Sequence, residues 1–267
     1  MSTRTDDYTA PIDRPSEQTL QLLWKEKADL RSVSFLRRPG VTDGTIHRGP
    51  IAVVEGPQPY KHNHYHDSEF FRADPDRGTV TNPYGQRVMR VSEDFLVAVL
   101  GSLEDEVGQS GAREIMYKCG YQWGVQDMRR FLPRMQAEFE AELDRMRVDF
   151  LMESWWWPLT IMGWGTWRYD FTQRDKGLLY VELYESAVAK SVGDVGSVVC
   201  YFYAGLFGAV FSALAKRPLG CVEMQCYATG EDFCKFVVAD YERVNAAAFW
   251  RGEGASARDI TRKLSEM

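Results

Sequence analysis

Three cysteines and a glutamate late in the chain, Cys200, Glu223, Cys226 and Cys234, lie at intervals that suit one tetrahedral metal, and they use three of the five cysteines present. Zinc favours thiolates and accepts a carboxylate oxygen, and with four protein donors it keeps no open position for catalysis. Glu223-Met-Gln-Cys226 sets two donors a knuckle apart, and the polar, Gly-containing stretch from Tyr227 to Phe233 can fold back to deliver Cys234. The spacing therefore predicts a structural zinc clip. Ordinary buried thiols are the alternative, since free cysteine is among the most buried residue types. Disulfides are the weaker alternative. Nothing at the N-terminus resembles a signal peptide, so a reducing cytoplasm is the expected setting.

At 267 residues and 45% hydrophobic content, the chain can bury a full core. A net charge of −6 without a cluster of cations argues against a nucleic-acid partner. Arg129, Arg130 and Arg134 come nearest to a basic patch and read as a solvated helix face. No apolar run reaches the ~18–20 residues of a membrane span. Aromatics make up 13% of the chain, including eight tryptophans, and their clustering matters more than their number.

Three regions follow from a pass along the chain. Residues 1–87 read as an irregular, strand-containing extension, a candidate dimerisation arm, with a β-like piece at Ile51–Val54 and turns at Asp74–Gly78 and Asn82–Gly85. Residues 88–240 read as the main domain. Ser92 is a candidate N-cap for a helix ending near Gly108. A second helix runs through Gly111–Gly124, with Ile115, Cys119 and Gln122 or Trp123 on one face, and a third covers Met135–Phe150 after Pro133, closed by Ser154-Trp155-Trp156-Trp157-Pro158. Gly163–Phe171 and Leu178–Leu183 form a hairpin, Val199–Leu214 a helix apolar on every face, and Cys221–Ala228 and Phe233–Val238 two further strands. Residues 241–267 form a helical tail, broken near Gly252–Gly254.

The run Cys200–Leu214, then Cys221-Val-Glu-Met-Gln-Cys226, then Gly230-Glu-Asp-Phe-Cys-Lys-Phe236, resembles the 4-vinyl reductase (V4R) domain family, and Gly111–Gly124 resembles that family's early helix. The resemblance covers roughly residues 88–240. It implies an α/β fold, a small antiparallel sheet flanked by helices, that is usually a homodimer. In the sensory domains of aromatic-responsive activators of this family, Cys, Glu, Cys and Cys hold zinc in the same order, which implies Cys200, Glu223, Cys226 and Cys234 as ligands here. Those activators continue into an ATPase module and a DNA-binding helix-turn-helix for which this chain has no room, so it is expected to act alone. Their phenol-responsive branch anchors its ligand through a histidine inside the domain, and no histidine follows His66 here.

The resemblance implies a small hydrophobic or aromatic ligand. Trp155, Trp156, Trp157, Trp164, Trp167, Tyr180, Tyr184, Phe202, Tyr203 and Phe207 come from segments expected to converge around the hairpin and the buried helix, as an aromatic-walled cavity or as plain core. Three consecutive tryptophans cannot all point inward from one helix, so at least one is expected at a groove, a cavity or a partner chain. His62, His64 and His66 alternate, and in an extended segment they share a face that suits a second transition metal. A solvated loop is the simpler account. No phosphate loop, dinucleotide fingerprint or supported Ser-His-Asp set is present, so whether the chain is an enzyme stays open. The expected function is a stand-alone cytoplasmic binding protein with structural zinc. Two alternatives are an enzyme or enzyme accessory, acting in tetrapyrrole vinyl reduction or through the histidine strip, and an assembly scaffold.

Overall fold

The computed structural model describes residues 12–16, 46–48, 70–82, 85–146 and 148–267; the histidine strip at 62–66 and the piece at 51–54 lie outside them. Among the described residues there are two antiparallel sheets. The larger contains β1 (Ile46–Arg48), β5 (Thr166–Asp170), β6 (Leu179–Tyr184), β7 (Gly220–Gln225) and β8 (Cys234–Ala239), in the order β1-β5-β6-β8-β7. The smaller joins β2 (Arg72–Asp74), β3 (Thr79–Thr81) and β4 (Arg87–Val88), turning where Gly78 N–H bonds the Pro75 carbonyl and Gly85 N–H bonds the Asn82 carbonyl. The expected fold class, a small antiparallel sheet flanked by helices with N-terminal strands and C-terminal helices, is the observed one.

β5 and β6 are the expected hairpin, in register through Trp167 opposite Leu183, with Gly177 at φ 75° closing the turn. Strand alternation divides β6 between two cores. Leu179, Val181 and Leu183 face the main core, whereas Tyr180 joins the second core on the opposite face. That second core is covered by α5 (Tyr241–Gly252) and α6 (Ala257–Glu266), the expected tail, capped by Asp240 accepting from Arg243 N–H and Ser256 accepting from Asp259 N–H. A short helix that the sequence reading lacks, α3 (Ala187–Val192), is capped by Ser186.

The main core face is covered by α4 (Tyr201–Ala215), which has no charged residue and whose side chains other than Phe202 are buried. It can be apolar on every face because the sheet lies on one side and α1 (Asp94–Phe139) on the other. The crossing of α1 and α4 is exceptionally close. Gly120 and Gly205 bring the backbones so near that a Cβ at either would lie 2.0 Å from a carbonyl oxygen of the opposite helix, that of Phe202 or Tyr117 respectively.

That crossing orients the second helix. The face holding Ile115, Cys119 and Gln122 points outward, while Met116, Tyr117, Gly120, Tyr121 and Gly124 are buried. Small residues, not large apolar ones, mark the docking side. The first helix does break at Gly108, at φ 73° and ψ 168°, but the chain then runs helical through Pro133 to Phe139. Ser92 is not the capping residue; its hydroxyl bonds the Asp94 carboxylate, and Glu93 precedes the helix without a side-chain cap.

The expected third helix is also divided differently. Glu140, left-handed at φ 48°, ends α1, and a new helix, α2 (Val148–Ile161), carries Trp155, Trp156, Trp157 and Pro158 inside it. All three tryptophans are buried, because α2 is covered on two sides. Trp155 and Trp156 join the main core, and Trp157 sits under Phe70 and Phe71, with the Phe70 ring 5.1 Å away edge-on.

Candidate functional site

The four predicted metal donors meet. Cys200 immediately precedes α4, Glu223 lies on the inward face of β7, Cys226 follows that strand, and Cys234 opens β8. A register irregularity between Glu223 and Gln225, after which Gln225 pairs with Lys235, bends the end of β7. A tight turn then aims Cys226 back, with its carbonyl accepting from the Thr229 hydroxyl at 2.7 Å and its N–H bonding the same side chain. Gly230, at φ 82°, completes the reversal toward Cys234.

All four side chains are buried, and one donor atom from each lies within 4.8 Å of the others. The sulfur separations are 4.0 Å for Cys200–Cys226, 3.7 Å for Cys200–Cys234 and 3.6 Å for Cys226–Cys234. These are far too long for a disulfide, whose sulfurs lie about 2.05 Å apart. They match a tetrahedron, because zinc–sulfur bonds of about 2.3 Å place neighbouring sulfurs about 3.8 Å apart. Glu223 Oε2 accepts from Cys200 N–H at 2.9 Å, a donor at the start of α4, while Oε1 is buried without a hydrogen-bond partner. An orphaned carboxylate oxygen beside three convergent sulfurs is the arrangement that a cation satisfies.

The electrostatics agree. Burial pushes the Cys200 thiol and the Glu223 carboxyl well above their usual ranges, and hydrogen bonds from Cys200 and Cys234 bring Cys226 down to about 3. Without a cation the cluster must hold protons. A divalent ion replaces them and permits several donors to carry charge at once. The Ser186 hydroxyl, 3.3 Å from Cys200 Sγ, supports the cluster from behind.

The ten aromatic residues do not form one wall. Trp156 and Trp167 stack at 4.9 Å, with Phe207 5.6 Å from Trp156 and Trp155 5.6 Å from Trp167, which makes a filled core. Tyr203 joins it and donates to the Trp164 carbonyl at 2.7 Å. Trp164 and Phe202 are half-buried and pack against Trp123. Trp157 and Tyr180 lie in the two other clusters, and Tyr184 stacks on Phe233.

A cavity of about 530 Å³ lies elsewhere, and none of those ten residues lines it. Its floor comes from Tyr117 and Tyr121 of α1, Tyr201 and Ala204 of α4, and Cys221 to Glu223 of β7. Ala248 and Arg251 of α5 close one side, and the N-terminal segment Ile12–Ser16 closes another, held by Ile12 N–H donating to Asn245 Oδ1 at 2.9 Å. Tyr117 accepts from Cys221 N–H at 3.4 Å, and Arg251 donates to the Glu223 carbonyl at 2.6 Å. Glu223 thus belongs to both the cluster and the cavity wall. Sequence reasoning missed these cavity residues, although Tyr117 and Tyr121, one helical turn apart, carry a readable signal.

Residues 179–240 match the model of the V4R domain. Among solved structures, the chain is similar to the phenol-responsive sensory domain of the transcription activator PoxR, crystallised with phenol. The TM-score is 0.53 at 19% identity, over 68% of this chain and 92% of that one, a likeness of fold. It is also 33% identical over 48 residues to the uncharacterized protein MJ0150 of Methanocaldococcus jannaschii. That segment is 18% of this chain and 28% of the archaeal protein. No helix among the described residues is long and apolar enough to cross a membrane.

Proposed function

We propose that the protein binds a small hydrophobic or aromatic molecule in the 530 Å³ cavity, beside a structural zinc held by Cys200, Glu223, Cys226 and Cys234. The observation that carries this reading is that one residue, Glu223, is shared by the cavity wall and the cluster. The volume lies within the range of about 300–1,000 Å³ that small-molecule sites occupy. The PoxR sensory domain, which has the same fold, was crystallised with phenol, and that likeness supports a small-molecule role here. Zinc with four protein donors supplies cross-linking and not catalysis. The chain's own residues do the binding: Tyr117, Tyr121 and Tyr201 offer ring faces and hydroxyls, and Ala204, Val222 and Ala248 offer apolar contact. A reducing, cytoplasmic setting belongs to the reading, because reduced thiols are needed as ligands and persist there.

The test is a thermal-shift and calorimetric titration of untagged protein with a panel of small aromatics and alkyl compounds, alongside elemental analysis. One zinc per chain and saturable binding that Ser110→Trp abolishes are expected, since Ser110 is an exposed residue lining the cavity. A flat response across the panel, or binding indifferent to Ser110→Trp, refutes the cavity reading; protein that folds and melts identically with and without zinc refutes the structural metal.

A further inference from the structure

The cavity follows the outer edge of β7. Consecutive strand residues turn their side chains to opposite faces, and Cys221 joins the main core while Val222 joins the second core. A space lined by Cys221, Val222 and Glu223 together, with α1 and α4 on one face of the sheet and α5 on the other, therefore runs along the backbone, between the two helical layers. β7 is the last strand in the order β1-β5-β6-β8-β7, so among the described residues no strand pairs with that edge.

The bonds on this edge identify the backbone groups that point outward. Leu219, just before the strand, donates its N–H to the Ser212 hydroxyl at 2.9 Å, and its carbonyl accepts from the Tyr241 hydroxyl at 3.0 Å. Cys221 N–H donates to Tyr117, and the Glu223 carbonyl accepts from Arg251. In an antiparallel ladder alternate residues direct both backbone groups to the same side, and the register irregularity comes only after Glu223. The Cys221 carbonyl and the Glu223 N–H therefore share this edge. Both residues line the cavity, and neither of these two groups has a partner among the described residues.

We infer that the ligand carries a neutral amide with its oxygen and N–H on the same side, a primary amide or a lactam, which donates to the Cys221 carbonyl and accepts from the Glu223 N–H. This rests on the reading that the cavity is the ligand site. A carbonyl and an N–H two residues apart on a strand edge are the pair that an added strand takes, and a planar amide takes the same pair from within a small cavity. Its apolar remainder lies against Tyr121, Ala204 and Ala248. A ketone or ester supplies only an acceptor and leaves the buried Cys221 carbonyl unbonded; a carboxylate also brings its charge against that carbonyl.

The experiment compares isosteric pairs by isothermal titration on the full chain: benzamide against acetophenone, and caprolactam against caprolactone. The amide of at least one pair is expected to bind about tenfold more tightly, the size of one buried hydrogen bond left unmade. On isotope-labelled protein, the Glu223 N–H proton resonance should move downfield at saturation. A ketone and lactone that bind as tightly as the amides, or a Glu223 resonance that stays in place, overturn the amide inference, and leave the cavity reading standing where Ser110→Trp still abolishes binding. Silence from all four compounds while other members of the aromatic and alkyl panel bind has the same meaning. Binding that Ser110→Trp does not affect, or no binding by these compounds or the panel, overturns both.

Discussion

The close crossing of α1 and α4 makes one substitution sharply informative. In Gly120→Ala the new Cβ would lie 2.0 Å from the Phe202 carbonyl oxygen, 2.8 Å from its carbon and 3.1 Å from Leu206 N. Ordinary contact begins near 3.4 Å, and every atom in the way is backbone within a buried helix, so no side chain can rotate aside. The helices must part. Overpacking typically costs about 1–3 kcal/mol where side chains can yield, and here the cost falls at or above the upper end. Against it stands the gain in helix propensity of alanine over glycine, about 1 kcal/mol. The net loss should be about 2–4 kcal/mol, a fall in Tm of roughly 5–15 °C for a chain of this size. Gly101→Ala, in the same helix, is the control: it is exposed and nothing lies within 4 Å of its Cβ position. It should raise stability by about 0.5–1 kcal/mol. Both are read by thermal and urea melts followed by far-UV circular dichroism, at fixed zinc concentration because a bound ion shifts Tm. A Gly120→Ala protein that melts within about 2 °C of wild type would refute the backbone-on-backbone crossing.

Two further substitutions probe the cluster and the core. Cys226→Ser should abolish stoichiometric zinc in elemental analysis and lower the urea midpoint steeply, because structural zinc contributes its binding free energy to folding; a metal-free variant as stable as wild type would count against the clip. Trp156→Phe should cost about 1–3 kcal/mol in a urea melt through lost packing against Trp167 and Phe207, yet leave ligand affinity unchanged, since Trp156 does not line the cavity; a large loss of affinity at full stability would place the ligand in the aromatic core instead.

What was legible in the sequence follows from which interactions are local. The hairpin and the tail helices rest on neighbours within a few residues, and the alternation and turn residues announce them. The cluster was legible because thiolate chemistry restricts its residue types, and three of its donors fall within one strand pair and its turn. The burial of all three tryptophans was not legible, because it depends on Phe70 and Phe71, far away in the chain, covering the outer side of α2. The docking side of α1 was not legible for a related reason. Periodicity weights large apolar residues, whereas α4 docks where Gly120 and Gly124 leave room for its backbone.

The same glycines explain why the cavity lies where it does. Close approach at Gly120 and Gly205 fixes the spacing of α1 and α4 at their crossing, and Tyr117, Tyr121, Tyr201 and Ala204, all within four residues of those contacts, line the gap beside it. β7 then seals that gap with Cys221 and Val222 and, at Glu223, turns its carboxylate to the cluster and its carbonyl to Arg251. A shift of β7 by a single residue would reverse its faces, carrying Glu223 out of the cluster and Val222 into its place. The cluster residue Glu223 thus ties the register of the strand that walls the cavity to the candidate metal site. Loss of the ion should loosen that wall first, which predicts that chelation weakens ligand binding in calorimetry at concentrations where far-UV circular dichroism still reports the native helices; binding that persists unchanged until the fold melts would show that the wall does not depend on the metal.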